Sequence, residues 1–365
     1  MKRRRLALFV LLCATLLQSG CEFKDLDKRF FVVSIGVDKS KDPKKPYHVS
    51  LKVAIPSGQV QMGKESFDVY AVDDSTISNA VQHLKANVDK EFDFGHTKML
   101  VFGKELAEDD YRDALDWMVR ARFLQQIAWV GVGSPNAEEV LRVKPNFERL
   151  PSNALFLSFG QIGVESEFTV SRYLFDFFRA NEEPGSSPVL PIIKAREGHF
   201  TIDNAYVMDG KRAKLRLNAD ETVLFNTLVR SQNKYEYVLE QDGKRFVFHA
   251  DQISVSRSLT ESPKPTATVK IKLGGTLVES QDQVVKEQDL LKVSDQLGRK
   301  IQKDIKTLLE KFRDQHLDPY EFGLYYRATH WDDVDQEVAA WKKMYPSLQF
   351  DVQVKVNLRG SGVIE

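Results

Sequence analysis

Apolar and polar positions along the chain follow two periods. Phe30 to Val37 is β-branched and aromatic almost without a break, which predicts a buried strand. Tyr47 to Ile55 alternates, with Val49, Leu51, Val53 and Ile55 on one face, and predicts a half-buried strand. Lys39 to Pro46, with its Asp42-Pro43-Lys44-Lys45-Pro46 run, reads as the hairpin connection between them. The helical period starts with Ile77, Ala80, Val81, Leu84 and Val88, capped by Asp74 or Ser75. Thr97 to Phe102 is a predicted strand, followed by a helix from Ala107 to Arg120 with Tyr111, Leu115, Met118 and Val119 inward. Ile127 to Val132 is a further strand, and Ser134-Pro135 opens a short helix with a cap and a proline at its first position. A helix-rich stretch then carries Phe168, Val170, Tyr173, Leu174, Phe177 and Phe178, before a Gly/Pro/Ser loop over 181–188.

From Val189 the texture changes to hairpins. Phe200–Val207 and Ala213–Leu217 flank Asp209-Gly210, and Tyr235–Glu240 and Arg245–His249 flank Asp242-Gly243. A helix over Glu221–Arg230 lies between the two pairs. Pro263-Lys264-Pro265 reads as a boundary. Beyond it come a strand over Ala267–Leu277 and a long helix over Val285–His316 with Leu290, Leu297, Ile301, Ile305, Leu308 and Phe312 on one face. A shorter helix with Val334, Val338 and Trp341 and an alternating strand over Phe350–Leu358 close the chain. The pattern predicts an α+β protein of three domains, each a small mixed or antiparallel sheet with packed helices, over 21–188, 189–262 and 263–365.

Residues 1–20 break this pattern. Lys2 to Arg5 is a basic segment, and Leu6 to Leu17 is apolar apart from Thr15. The run reads as a secretory signal and is shorter than the roughly 20 residues a bilayer span needs. Removing Lys2, Arg3, Arg4 and Arg5 from 52 basic residues leaves 48 against 52 acidic ones, a net charge of −4, which offers no basic surface for nucleic acid. Of the two cysteines, Cys13 lies in the apolar run and Cys21 just after it. An exported chain ending its signal at Cys21 has no internal disulfide. Ser19 and Gly20 before Cys21 suggest a bacterial lipobox, with diacylglycerol on the Cys21 sulfur, although Gln18 stands where such motifs usually carry Leu. Cleavage near Ala14 and an uncleaved signal-anchor are the other readings. Two acyl chains hold a protein stably at a membrane.

Candidate chemistry is sparse. The chain has no His-Glu-x-x-His, no Gly-x-Ser-x-Gly and no Walker loop, and His48, His83, His96, His199, His249, His316 and His330 are scattered singly. Gly131-Val132-Gly133 resembles a phosphate-binding turn without its third glycine or lysine. Asp73-Asp74 and Asp332-Asp333 read as charges and caps at helix starts, and Trp331 and Trp341 as packing residues. No catalytic, cofactor or metal residue is singled out. This pattern favours a tethered recognition or scaffold protein over an envelope hydrolase built from dispersed residues.

Several blocks together resemble the C-subunit lipoproteins of bacterial spore germinant receptors, the Ger(x)C family. They are "FFVVSIGVDKS" (30–40), "VAIPSG", "STISNAVQHL", and most specifically "DFGHTKMLVFGKELAE" (93–108), with Gly95-His96 and Gly103-Lys104-Glu105-Leu106-Ala107. "DPYEFGLYYRATHW", with its Asp-x-x-x-Phe-Gly, the Trp of "VAAWKKMYP" and the closing "FDVQVKVNLRGSG" continue the match in order, while Glu22-Phe23 departs from the family's Trp-Asp. The resemblance implies three α+β domains and a non-enzymatic subunit without cofactor or metal. It implies lipid attachment at Cys21 on the outer face of the inner spore membrane, with a multi-pass A-subunit and a transporter-like B-subunit as partners. His96 is read as serving backbone groups at a strand start. The alternative function is a lipid-anchored extracytoplasmic solute-binding protein, which would need a deep pocket with convergent polar groups.

Overall fold

The computed structural model describes residues 3–5, 28–55, 66–145, 155–159, 166–229, 234–241, 243–280, 287–330 and 333–359. Most of the expected signal segment, Cys21 and Trp331 lie outside the described residues. Strand β1 (Arg29–Lys39) is buried continuously from Val32 to Asp38, because it has hydrogen-bonded neighbours on both edges and helices on both faces. β2 (Tyr47–Ile55) pairs antiparallel with β1, and β3 (Ser66–Asp74) antiparallel with β2. The strand β3 was not expected from its sequence. It is an outer strand of the sheet, and its Ser66, Asp68, Asp73 and Asp74 dilute the apolar alternation.

Helix α1 (Ile77–Ala86) buries Ile77, Ala80, Val81 and Leu84 as the period requires, but Thr76 is the cap, accepting from the Asn79 amide at 3.1 Å. The short β4 (Glu91–Asp93) and β5 (Met99–Gly103) run parallel to β1. The helix expected over 107–120 is two, α2 (Lys104–Asp109) and α3 (Arg112–Arg120). They part at Tyr111, whose amide bonds to the Lys211 carbonyl and whose buried hydroxyl donates to Asn181 at 2.6 Å. β6 (Trp129–Ser134) leads to α4 (Ala137–Arg142), whose cap is Asn136, with Pro135 outside the helix. α5 (Leu174–Glu182) follows.

β7 (Val189–Arg196), β8 (His199–Met208) and β9 (Ala213–Leu217) complete one nine-stranded sheet in the order β3-β2-β1-β5-β6-β7-β8-β9, with β4 beside β1. After α6 (Ala219–Val229), β10 (Tyr235–Gln241), β11 (Lys244–Thr260), β12 (Thr266–Ser280) and, beyond the helices, β13 (Gln349–Leu358) form a second sheet in that order. The parallel pair β12–β13 is joined through the long α7 (Glu287–Asp314), α8 (Phe322–Ala328) and α9 (Val334–Met344). No described helix is long and apolar enough to cross a membrane.

The α+β class holds, but the chain is organised around two sheets. Residues 189–217 extend the first sheet and 235–260 belong to the second, so the expected middle segment forms no sheet of its own. The physical reason is a shared core: Val189, Ala205, Val207 and Leu217 pack in one cluster with Phe248, Ile271 and Leu297. Pro263–Pro265 is not a boundary. It lies in the turn of a long hairpin paired from Thr260–Thr266 to Phe246–Ser280.

Candidate functional site

The block 93–108 is a folding device. Asp93 accepts from Arg29 at 2.8 Å and from the Gly95 amide at 2.9 Å, which ties the start of β1 to the loop before β5. The Thr97 hydroxyl donates to the Val32 carbonyl at 3.1 Å in the buried interior. His96 does not serve the backbone as expected. Its exposed ring meets Phe31 edge-on at 4.8 Å, and the side chains of Asp93 and Thr97 do the capping. Gly103 leaves room for Asp38: a Cβ there would stand 1.7 Å from Asp38 Oδ1. Asp38 in turn accepts the Ala137 and Glu138 amides at the start of α4, at 2.7 and 3.0 Å. The glycines of β6 therefore form no phosphate turn. The amides an anion would need are held by Asp38, and Gly133 packs against Asn136 and Ala137.

The structure brings together one titratable cluster that single-position reasoning missed. His48 bridges Asp73 at 2.5 Å and Glu138 at 2.9 Å, tying β2, β3 and α4. Burial alone would lower its pKa, but the two carboxylates outweigh this and hold it above the ordinary imidazole value. Asp73 and Asp74 end a strand instead of starting a helix, with Asp74 accepting from His83 and the Ser75 amide. Asp333 caps α9 as expected, accepting from Asp335 at 3.0 Å. No group of three metal-binding side chains occurs among the described residues.

The second block, Asp318 to Gly323, forms the junction of the two halves. Asp318 is buried, and its two oxygens accept the Phe322 and Gly323 amides at 3.0 and 2.7 Å, shaping the start of α8. Its backbone pairs reciprocally with Ser187: the Ser187 amide donates to the Asp318 carbonyl, and the Asp318 amide to Ser187 Oγ at 2.9 Å. Gly323 lets Gly185 and Trp341 close in, since a Cβ there would sit 2.4 Å from the Trp341 indole nitrogen and 2.6 Å from Gly185 Cα. Trp341 is buried and stacked on Tyr326 at 5.6 Å, the packing role expected for it. Gly185 has φ of +86°, a left-handed conformation that glycine adopts without strain and other residues rarely do. Gly323→Ala is therefore expected to cost about 2–3 kcal/mol by overpacking. Urea denaturation checks this, and a loss within about 0.5 kcal/mol, the range of a neutral surface change, would sink it.

Two concave regions stand out among the described residues, one of them at this junction. A crevice of about 540 Å³ lies between the 181–187 loop, Asp209-Gly210, His316 and α9. A groove of about 670 Å³ runs between α6, β10 and α7 over an apolar floor that includes Val223, Tyr237 and Ile301. Both are solute-sized. In the crevice the polar groups already serve the protein: Asp318 and Ser187 bond each other's backbone and α8, Asn181 holds Tyr111, and the Tyr345 hydroxyl donates to the Leu317 carbonyl at 2.5 Å. In the groove, Lys300 pairs with Asp304 and Glu167 accepts the Glu236 amide. These named groups are engaged within the protein itself.

These features define the class: a two-sheet α+β protein whose motif residues lock strands, helix starts and the junction. The residues 22–195 match the family model "Spore germination protein N-terminal domain", and 203–362 match "Spore germination B3/GerAC like, C-terminal". Spore germination protein KC of Bacillus subtilis (strain 168) is 21% identical over 406 residues, covering 100% of this chain and 97% of its own length. A crystal structure of the GerBC protein superposes with a TM-score of 0.60 at 16% identity, covering 89% of this chain and 97% of that one, which shows the common fold. The chain belongs to the Ger(x)C family of spore germination proteins.

Proposed function

We propose that the protein is a lipid-anchored subunit of a spore germinant receptor, held by diacylglycerol on Cys21 at the outer face of the inner spore membrane. It acts there without catalysis, through contacts with a multi-pass A-subunit and a transporter-like B-subunit. The observation that carries this reading is the extent of the family match. It runs through both halves of the chain and its first residue, 22, directly follows Cys21. Tethering raises the effective concentration of the folded part near integral-membrane partners. The polar groups that hold the junction together, Asp318, Ser187 and Tyr345, are spent on the protein's own backbone, which favours a contact role over solute capture at the crevice.

Spores carrying Cys21→Ala test the anchor. The variant is expected to leave the inner-membrane fraction, and the nutrient response to fall to that of spores lacking the protein. Normal retention and a normal response would overturn the anchoring role.

A further inference from the structure

Eight large apolar side chains are exposed among the described residues, and four of them sit together: Phe123 (45%), Ile127 (57%), Phe175 (45%) and Phe178 (37%). Two segments carry them. The Phe175 amide donates to the Gln126 carbonyl at 3.1 Å and the Leu174 amide to the Ala128 carbonyl at 2.8 Å, so the loop 121–128 and the start of α5 form one surface. Leu124 and Ala128 turn inward from the loop, and Leu174 and Phe177 turn inward from the helix. The inward residues fix the outward ones in place. Phe123 is further held by the Phe94 ring at 4.7 Å and Trp117 at 6.1 Å. A patch of this kind that the core does not need marks a surface with a partner.

Its position identifies the partner. The start of β1 lies at the same end of the first sheet. Arg29 bonds Asp93, Asp93 bonds the Gly95 amide, and the Gly95 carbonyl accepts from Gln125 in the middle of the loop at 2.7 Å. An aromatic path runs the same way, from Phe30 to Phe92, Phe94 and Phe123, with ring spacings of 6.2, 6.3 and 4.7 Å. Six residues, 22–27, separate Cys21 from Lys28. Even fully extended they keep the start of β1 within about 29 Å of the cysteine. Arg122 is the one ionisable residue of the loop 121–128, so the loop carries a positive charge suited to anionic lipid.

We propose that this face rests on the membrane, with Phe123, Ile127, Phe175 and Phe178 entering the boundary between headgroups and acyl chains. Apolar faces carrying Phe and aliphatic side chains with basic neighbours lie in that zone. The proposal rests on the anchoring reading and adds to it. The lipid holds the chain, and the aromatic face sets which way the chain points.

The test uses the full chain on vesicles of phosphatidylglycerol and phosphatidylethanolamine whose acyl chains carry bromine, a contact quencher of indole. Phe123→Trp adds a reporter to the four native tryptophans, and Val334→Trp, exposed at the start of α9, adds one in the second half. The added emission at position 123 is expected to be lost on brominated vesicles and that at 334 to persist. Unquenched emission at 123 in vesicle-bound protein overturns the proposal, as does equal quenching at both positions. A photo-crosslinker at position 123 that captures an integral-membrane protein in native membranes also overturns it, by assigning the face to a protein. The mass of the N-terminal peptide reports separately whether Cys21 carries lipid, so failure of the anchor and failure of the face are distinguishable.

Discussion

Gly103→Ala is expected to destabilise the fold by about 3–5 kcal/mol. The new methyl would overlap Asp38 Oδ1 at 1.7 Å and crowd the Asp38 Cα at 3.2 Å, and neither can move cheaply. The Asp38 carboxylate is buried at the end of β1, and burial raises its pKa while the Ala137 and Glu138 amides pull it down. Displacing it leaves the Ala137 and Glu138 amides at the start of α4, and a buried carboxylate, without partners, at about 1–3 kcal/mol each. A double-mutant cycle supplies the sharper test. Once Asp38→Ala removes the carboxylate, the methyl at 103 meets little resistance, so the double variant should be scarcely less stable than Asp38→Ala alone. Strict additivity in urea denaturation would show that the two positions are not coupled in this way.

The same pair shows why motif residues could be recognised before their role could be derived. Gly103 is conspicuous in its block, but its requirement comes from Asp38, 65 positions earlier, and the helix start that Asp38 holds is at 137. Local period reveals what faces the core: β1 is apolar almost throughout because both its faces are covered, and β2, α1, the long α7 and β13 follow their patterns because an apolar face dictates them. It does not reveal which core. Val189, Ala205 and Val207 alternate as any hairpin would, and only the assembled sheet shows them sharing a cluster with α7. Short elements were lost for a different reason. β3 is half polar on an outer edge, and α8 is a single packed stretch of seven residues whose start is set by Asp318 and not by its own period. The exposed aromatic face was also hidden, because Phe178 reads as part of the same apolar helix as Leu174 and Phe177 until the packing separates inward from outward, and the period does not pick out Phe175.

Acidification should strengthen this protein through Asp318, against the usual direction for a carboxylate. Burial dominates and pushes its pKa up to about 7, against the pull of the Gly323 and Phe322 amides and of Arg257, with Glu321 adding to the rise. In the unfolded chain the same group titrates near 3.8. Above pH 7 both states are ionised, and the folded state bears the whole cost of the buried charge. As pH falls from about 7 towards 4 the folded state takes up a proton that the unfolded state does not, so stability rises through that window. A shift of this size corresponds to a gain of about 4 kcal/mol, complete once the unfolded carboxyl also protonates. Carboxylates held low by cationic neighbours act in the opposite sense at lower pH, among them Asp110, pulled to about 2 mainly by Arg112. The Asp318 contribution is therefore read as the difference between the parent and Asp318→Asn. The amide does not titrate, and its NH2 group faces one of the two backbone donors, so the variant loses one helix-start bond at every pH. Urea denaturation from pH 4 to 8 should show the parent gaining on the variant as the solution is acidified, with the change centred between the two pKa values. A constant difference across the range would mean that the carboxyl stays ionised at the junction and that its two amide bonds, together with Arg257, outweigh its burial.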